Sequence, residues 1–139
     1  MREIKFRGIC KEENTNYYGK WIHGYLSFKG CINPEEEVND GGIQYNIYDE
    51  LMHISIRQET VGQYIGLKDK NGVEIYEGDK VRHKYLRKYK EAIIKFKEGC
   101  YGMEITDNSD WDKGRWIFAG AVNKDNELQY TEIIGNIHE

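Results

Sequence analysis

No apolar run in this sequence approaches the ~18 residues that a membrane-spanning helix requires, and the N-terminus, MREIKFRGICKEEN, carries charge throughout where a signal peptide would be apolar. Both absences lead to the expectation of a cytoplasmic protein with no membrane partner. Cysteine is scarce. Cys10, Cys31 and Cys100 are odd in number and far apart, which leaves no C-x-x-C spacing for a disulfide framework, a zinc clip or a redox pair, and fits a reducing compartment. Proline is nearly absent, with Pro34 alone, so the turns fall to the 15 glycines.

Several chemical signatures are missing as well. There is no G-x-x-x-x-G-K-[ST] or G-x-G-x-x-G loop to cradle phosphates, so no nucleotide cofactor is expected. No G-x-S-x-G elbow presents a nucleophile. A pair such as Cys100 with His23 can meet in any small protein by chance, and a structural cysteine is the simpler role. The acidic clusters Glu35-Glu36-Glu37 and Asp107, Asp110, Asp112 lack the alternating oxygens, central glycine and closing glutamate of a calcium loop. The four histidines and three cysteines contain no chelating pair at zinc spacing. Neither a metal nor another cofactor is therefore expected, and an enzyme is the less favoured class.

What is abundant is aromatic and charged. Eleven Tyr, three Trp and four Phe accompany 39% hydrophobic and 32% charged residues over 139 positions, a balance that folds in water around one modest core. Aromatics with glycine turns favour strands over a helical bundle. The net charge of −4 argues against wholesale coating of nucleic acid and leaves room for a local basic patch.

Along the chain, Ile4 and Phe6 alternate with charged neighbours as in a half-buried strand, which Gly8 is expected to end. Tyr17 to Lys20 reads as a turn into a strand over Trp21 to Phe28. Pro34 with Glu35 to Glu37 reads as the opening of a short helix stopped by Gly41-Gly42. Residues 43–47 and 52–56 alternate as strands do, although the stretch between them fits a helix equally. Asn71-Gly72 and Glu77-Gly78-Asp79 mark tight turns flanked by strands. Five strands are expected over 81–85, 91–97, 100–105, 115–122 and 131–137, with Glu98-Gly99 closing the hairpin between the second and third; that number and spacing suit a small barrel. His23, His53 and His83 fall at a regular interval, but the residues around them do not otherwise repeat.

The segment from Glu59 to Val81, ETVGQYIGLKDKNGVEIYEGDKV, resembles the central signature of the YopX-like family of phage and prophage proteins. Lys5 to Gly8 and Gly19 to Leu26 resemble that family's opening, and Glu132 to Ile137 its closing strand. The resemblance implies a mainly β protein (β-rich α+β): an N-terminal β-rich extension with at most short helices over residues 1–59, then an SH3-like small barrel over 60–139. It implies a bacterial host cell as the setting and no catalytic residue. The recurring positions are glycines, aromatics and turn polar residues, a pattern of architecture more than of chemistry.

The sharpest local feature is the basic segment 80–90. Lys80, Arg82, Lys84, Arg87, Lys88 and Lys90 bring six positive charges with no acid between them, and Tyr85 and Tyr89 are interleaved. Lys80, Arg82, Lys84, Tyr85, Arg87, Lys88 and Lys90 are accordingly candidates for nucleic-acid binding, cations on phosphates and a ring under a base. The plainer role is a solvated strand whose lysines protect a sheet edge, and the rest of the chain is more acidic than the whole. Tyr64, Tyr76, Tyr101, Trp111 and Trp116 bracket the expected barrel, where an aromatic groove suits a peptide. Trp116 and Tyr64 are expected inside and Trp111 in a polar loop. The favoured function is a non-catalytic binding module for a host or phage protein, or for a second copy of itself. Nucleic acid is the alternative partner, and a small enzyme with a dispersed site comes third.

Overall fold

The computed structural model describes residues 3–30, 43–49, 52–85, 87–106, 113–117 and 125–139, with backbone alone at 27–30, 43–46, 48–49, 52–53 and 85. The expected helix at Pro34, both acidic clusters, Trp111 and residues 118–122 lie outside these ranges. The architecture is mainly β. Among the described residues helix is confined to one 3-10 turn, Gln58–Thr60, and no helix is long and apolar enough to cross a membrane. The chain forms two units, Glu3–Gln63 and, from Tyr64, the remainder to Glu139.

In the first unit β1 (Phe6–Ile9), β2 (Trp21–Gly30), β3 (Ile43–Asp49) and β4 (Met52–Ser55) make an antiparallel meander. Residues 43–49 and 52–55 are thus strands. β2 is long enough to pair twice, with β1 through Trp21 to Gly24 and with β3 from Tyr25 onward. The chain after β4 then returns to the end of β1. Lys11 N–H donates to the Ser55 carbonyl at 3.0 Å, Arg57 N–H donates to the Ile9 carbonyl at 2.8 Å, and Cys10 bridges Ile56. The sheet thereby closes around Cys10, Ile22, Ile47, Ile54 and Ile56, all buried. Each such isoleucine stabilises the unit by about 1.5–3 kcal/mol. Thr60 locks the join, its hydroxyl accepting from Ile9 N–H at 2.8 Å and donating to the Arg57 carbonyl at 2.7 Å.

Gly8 does not end the first strand. It lies inside β1 opposite Ile22, and a Cβ there would sit 2.5 Å from Ile56 Cδ1. The glycine is a notch for a core side chain, a role that alternation alone does not reveal. The start of β5 (Gly62–Lys68) pairs with β1 through Gly62 and Gln63.

The second unit takes the rest of β5, then β6 (Glu74–Tyr76), β7 (Asp79–Tyr85), β8 (Lys88–Lys97), β9 (Cys100–Ile105), β10 (Trp116–Ile117) and β11 (Thr131–Asn136). Its sheet runs β10-β9-β8-β7-β11 with every neighbour antiparallel. Ile65, Ile75, Val81, Ala92, Ile94, Met103, Ile105, Ile117 and Leu128 form the core. Tyr64 is buried as expected, tilted against Tyr76 at a centroid distance of 5.6 Å.

Two buried carboxylates organise the signature segment. Asp69 Oδ1 accepts from the N–H groups of Asn71 (2.8 Å) and Val73 (3.0 Å), which folds the Asn71-Gly72 turn, while Oδ2 accepts from Ile133 N–H at 3.1 Å. Asp79 Oδ2 accepts from Tyr76 N–H at 2.8 Å and Oδ1 from the Asn136 side-chain amide at 3.3 Å. Each aspartate closes a local turn and also ties it to β11. Gly72 and Gly78, at φ +79° and +89°, supply the left-handed backbone these turns need.

Candidate functional site

β8 and β9 form a ten-and-six-residue hairpin whose two-residue loop, Glu98-Gly99, has both residues at positive φ, 53° and 82°. That geometry matches the right-handed twist of the flanking strands. Alternation sends Ala92, Ile94 and Phe96 to one face of β8. Ala92 and Ile94 are consumed by the core, whereas Phe96 lies beyond it and is 54% exposed. Tyr101 stands opposite Phe96 in register, with ring centroids 4.9 Å apart and planes at 59°.

Beside this aromatic pair is a cleft of about 490 Å³, floored by Ile94 and Met103 and walled by Ile65 and Leu67 from β5. Cys100 borders it, its thiol donating to the Lys97 carbonyl at 3.4 Å. Apart from that thiol, the Met103 thioether and the Tyr101 hydroxyl, the named side chains are hydrocarbon. Such a surface desolvates an apolar side chain. On the opposite face, Trp116 lies across Gly102, where a Cβ would be 2.6 Å from the indole, and Lys97 Nζ is 5.8 Å from the same ring. Trp116 is therefore half-buried over the sheet, outside the core where sequence reasoning places it, because Gly102 leaves a flat seat for it there. Tyr101 was among the aromatics picked out by sequence. Phe96, Leu67 and Ile65 were not, since only the tertiary fold sets β5 and the β8–β9 hairpin around one hollow.

The basic segment is divided by the same alternation. Lys80, Arg82 and Lys84 are exposed on one face of β7, and Arg87, at φ 68°, and Lys88 are exposed at the hairpin end. Lys90 turns inward. It pairs with His83, which is also buried and is bonded through Nδ1 to Thr131 Oγ1 at 2.8 Å. Burial pushes the His83 pKa below its ordinary value, because the imidazolium loses hydration there. The Tyr85 side chain is outside the described residues. Arg82 is opposite Glu91 on β8 and Glu132 on β11 in register, and Glu132 forms an ion pair with Lys70 at 3.1 Å.

Among the described residues no group of three or more His, Cys, Asp or Glu is placed to hold a metal ion. Cys10, buried in the first unit, and Cys100 are free thiols.

Comparison with curated proteins gives no match. The crystal structure of protein EF1440 from Enterococcus faecalis is similar in fold, with a TM-score of 0.50 and 21% sequence identity over 99% of this chain and 95% of that one. The family model described as YopX protein matches residues 5–139, the span that holds the closed first unit, the aspartate-organised turns and the hairpin with its cleft, and the chain therefore belongs to the YopX family.

Proposed function

We propose that this YopX-family chain is a non-catalytic binding module, an accessory protein of phage or prophage origin that works in the bacterial cytoplasm. Its C-terminal portion, residues 60–139, is read as an SH3-like barrel, a reading supported by the short-stranded order β10-β9-β8-β7-β11 and the two-residue hairpin. The partner is a protein, either a host or phage component or a second copy of this chain. The observation that carries this reading is the cleft of about 490 Å³ beside Phe96 and Tyr101. An apolar hollow next to a half-exposed aromatic pair is the form of surface that anchors a single buried side chain of a partner.

The test has two arms. Light scattering across a concentration series reads self-association, and selection from a random displayed peptide library reads recognition of other chains. The expected outcome is either a dimer or peptides carrying an apolar or aromatic anchor, in each case weakened about tenfold or more by Phe96→Ser, the loss typical of a buried anchor. A monomer at every concentration together with peptides indifferent to Phe96→Ser would sink the reading.

A further inference from the structure

A second surface lies on the face of the β7–β8 hairpin turned away from the cleft. Tyr89 stands directly opposite Lys84 in register, so their side chains leave the sheet together. Tyr130, just before β11, joins them, its carbonyl accepting from Lys84 N–H at 3.0 Å and its ring 5.8 Å from Lys84 Nζ. The result is one row, Tyr130–Lys84–Tyr89, in which a lysine is flanked by two rings. Those rings are 49% and 61% exposed and contribute to neither core. Beyond the row, Arg87 and Lys88 are exposed at the hairpin end, Lys88 springing from the other face of β8 at its first residue. On its other side Arg82 stands between Glu91 and Glu132 in register, so acidic residues flank the next cation. Lys90 is turned to the interior. Of the six cations in the segment, Lys84, Arg87 and Lys88 serve this end, and Tyr130, far away in sequence, supplies the second ring.

We propose that this row binds single-stranded nucleic acid, with Tyr89 and Tyr130 each stacking on a base and Lys84, Arg87 and Lys88 contacting phosphates. The rings select the unpaired form: a base in a duplex has its faces covered by neighbours, whereas a single strand presents a free face to each tyrosine. Three cations are too few for a tight electrostatic complex on a chain of net charge −4. The affinity is therefore modest and rests on stacking as much as on charge. Nothing in this reading uses the cleft, so each proposal can fail without the other.

Fluorescence anisotropy of a labelled oligothymidylate, single-stranded or annealed to its complement, across a salt series tests it. Tyr89→Ala with Tyr130→Ala is expected to weaken single-strand binding about tenfold or more at fixed salt, and Phe at both positions to restore it to within about twofold, because the ring is kept. Replacing Lys84, Arg87 and Lys88 together by Ala should lower the salt slope by roughly 2, at about 0.7 per phosphate contact on a single strand. Arg82→Ala and Phe96→Ser should leave binding within about twofold, as controls off the surface. The side chains replaced are exposed, and an unchanged thermal midpoint verifies folding. Absence of binding at low salt, duplex bound as tightly as single strand, or indifference to loss of both rings would overturn the proposal.

Discussion

The two units close their sheets by different means. The first does so chiefly with main chain: residues 9–11 bond to residues 55–57, helped by the Thr60 hydroxyl and by the Glu12 carboxylate, which accepts from Ser55 N–H at 2.7 Å. The second adds to main-chain bonds, such as Lys70 N–H to the Thr131 carbonyl at 2.9 Å and Ile137 N–H to the Gly78 carbonyl at 3.0 Å, the buried carboxylates of Asp69 and Asp79, each shaping a turn and reaching β11. Closure through main chain can be made by almost any residue and leaves little trace in sequence. Closure through a side chain demands one residue type at one place, which is why the recognisable segment 59–81 sits where the aspartates do. The same contrast holds for glycine. Gly8 is required for space, against Ile56, whereas Gly72 and Gly78 are required for backbone angle.

The sharpest way to break this comparison is to remove a carboxylate. Asp79→Ala strands Tyr76 N–H and the Asn136 amide in a buried setting and should cost about 2–4 kcal/mol. Hydrogen exchange should accelerate most in residues 74–79 and 131–139. If exchange instead rises most in residues 3–30, the carboxylate is not what holds the second unit together.

Gly8→Ala tests the first unit with a somewhat smaller effect, about 2 kcal/mol from overpacking against Ile56. Ile56→Val alone should cost about 1 kcal/mol, yet in the double variant it removes the offending Cδ1 and should recover part of the loss. Additive losses in urea melts would show that the clash is not the cause.

His83 sharpens the contrast through pH. Its folded-state pKa lies below the ordinary 6.5, so the unfolded chain takes up the proton first as pH falls. Stability from this group is then fully present above about pH 6.5 and declines below it until the folded-state pKa is passed, with a slope of at most about 1.4 kcal/mol per pH unit. The slope should shrink in His83→Gln when midpoints are compared from pH 7 down to pH 5 (the range bracketing the ordinary histidine value). Equal slopes in the two proteins would place the titration elsewhere.

The smallest effect is a gain. Glu98 occupies a positive-φ position in the β8–β9 turn, and Glu98→Asn should stabilise by about 0.5 kcal/mol, since asparagine tolerates that conformation better. A loss of stability would show that the Glu98 side chain has a role beyond the turn.

Much of the strand layout was legible because its signals are local. Glu98-Gly99 closes the hairpin expected of it, Asn71-Gly72 turns where it should, the turn expected at Glu77-Gly78-Asp79 falls on Glu77-Gly78 with Asp79 opening β7, and Trp21 onward runs as a strand. Gly8 was misread, since a glycine that ends a strand and one that admits a neighbour's side chain look alike in sequence. The cleft was only half legible. Tyr101 stood out as an aromatic, but Phe96 acquires its exposure from lying one alternation beyond the core.

By itself the sequence determined the β class, the turns and the family, all of which rest on residue types within a few positions of one another. Tertiary structure decided which side of the sheet each charge occupies. Pairing turned Lys90 inward beside His83, set Arg82 between two glutamates, and brought Tyr130 to Lys84. A one-residue change of register would reverse every one of those faces, and register is set by core packing and by ties such as that from Asp69 to Ile133, 64 residues apart.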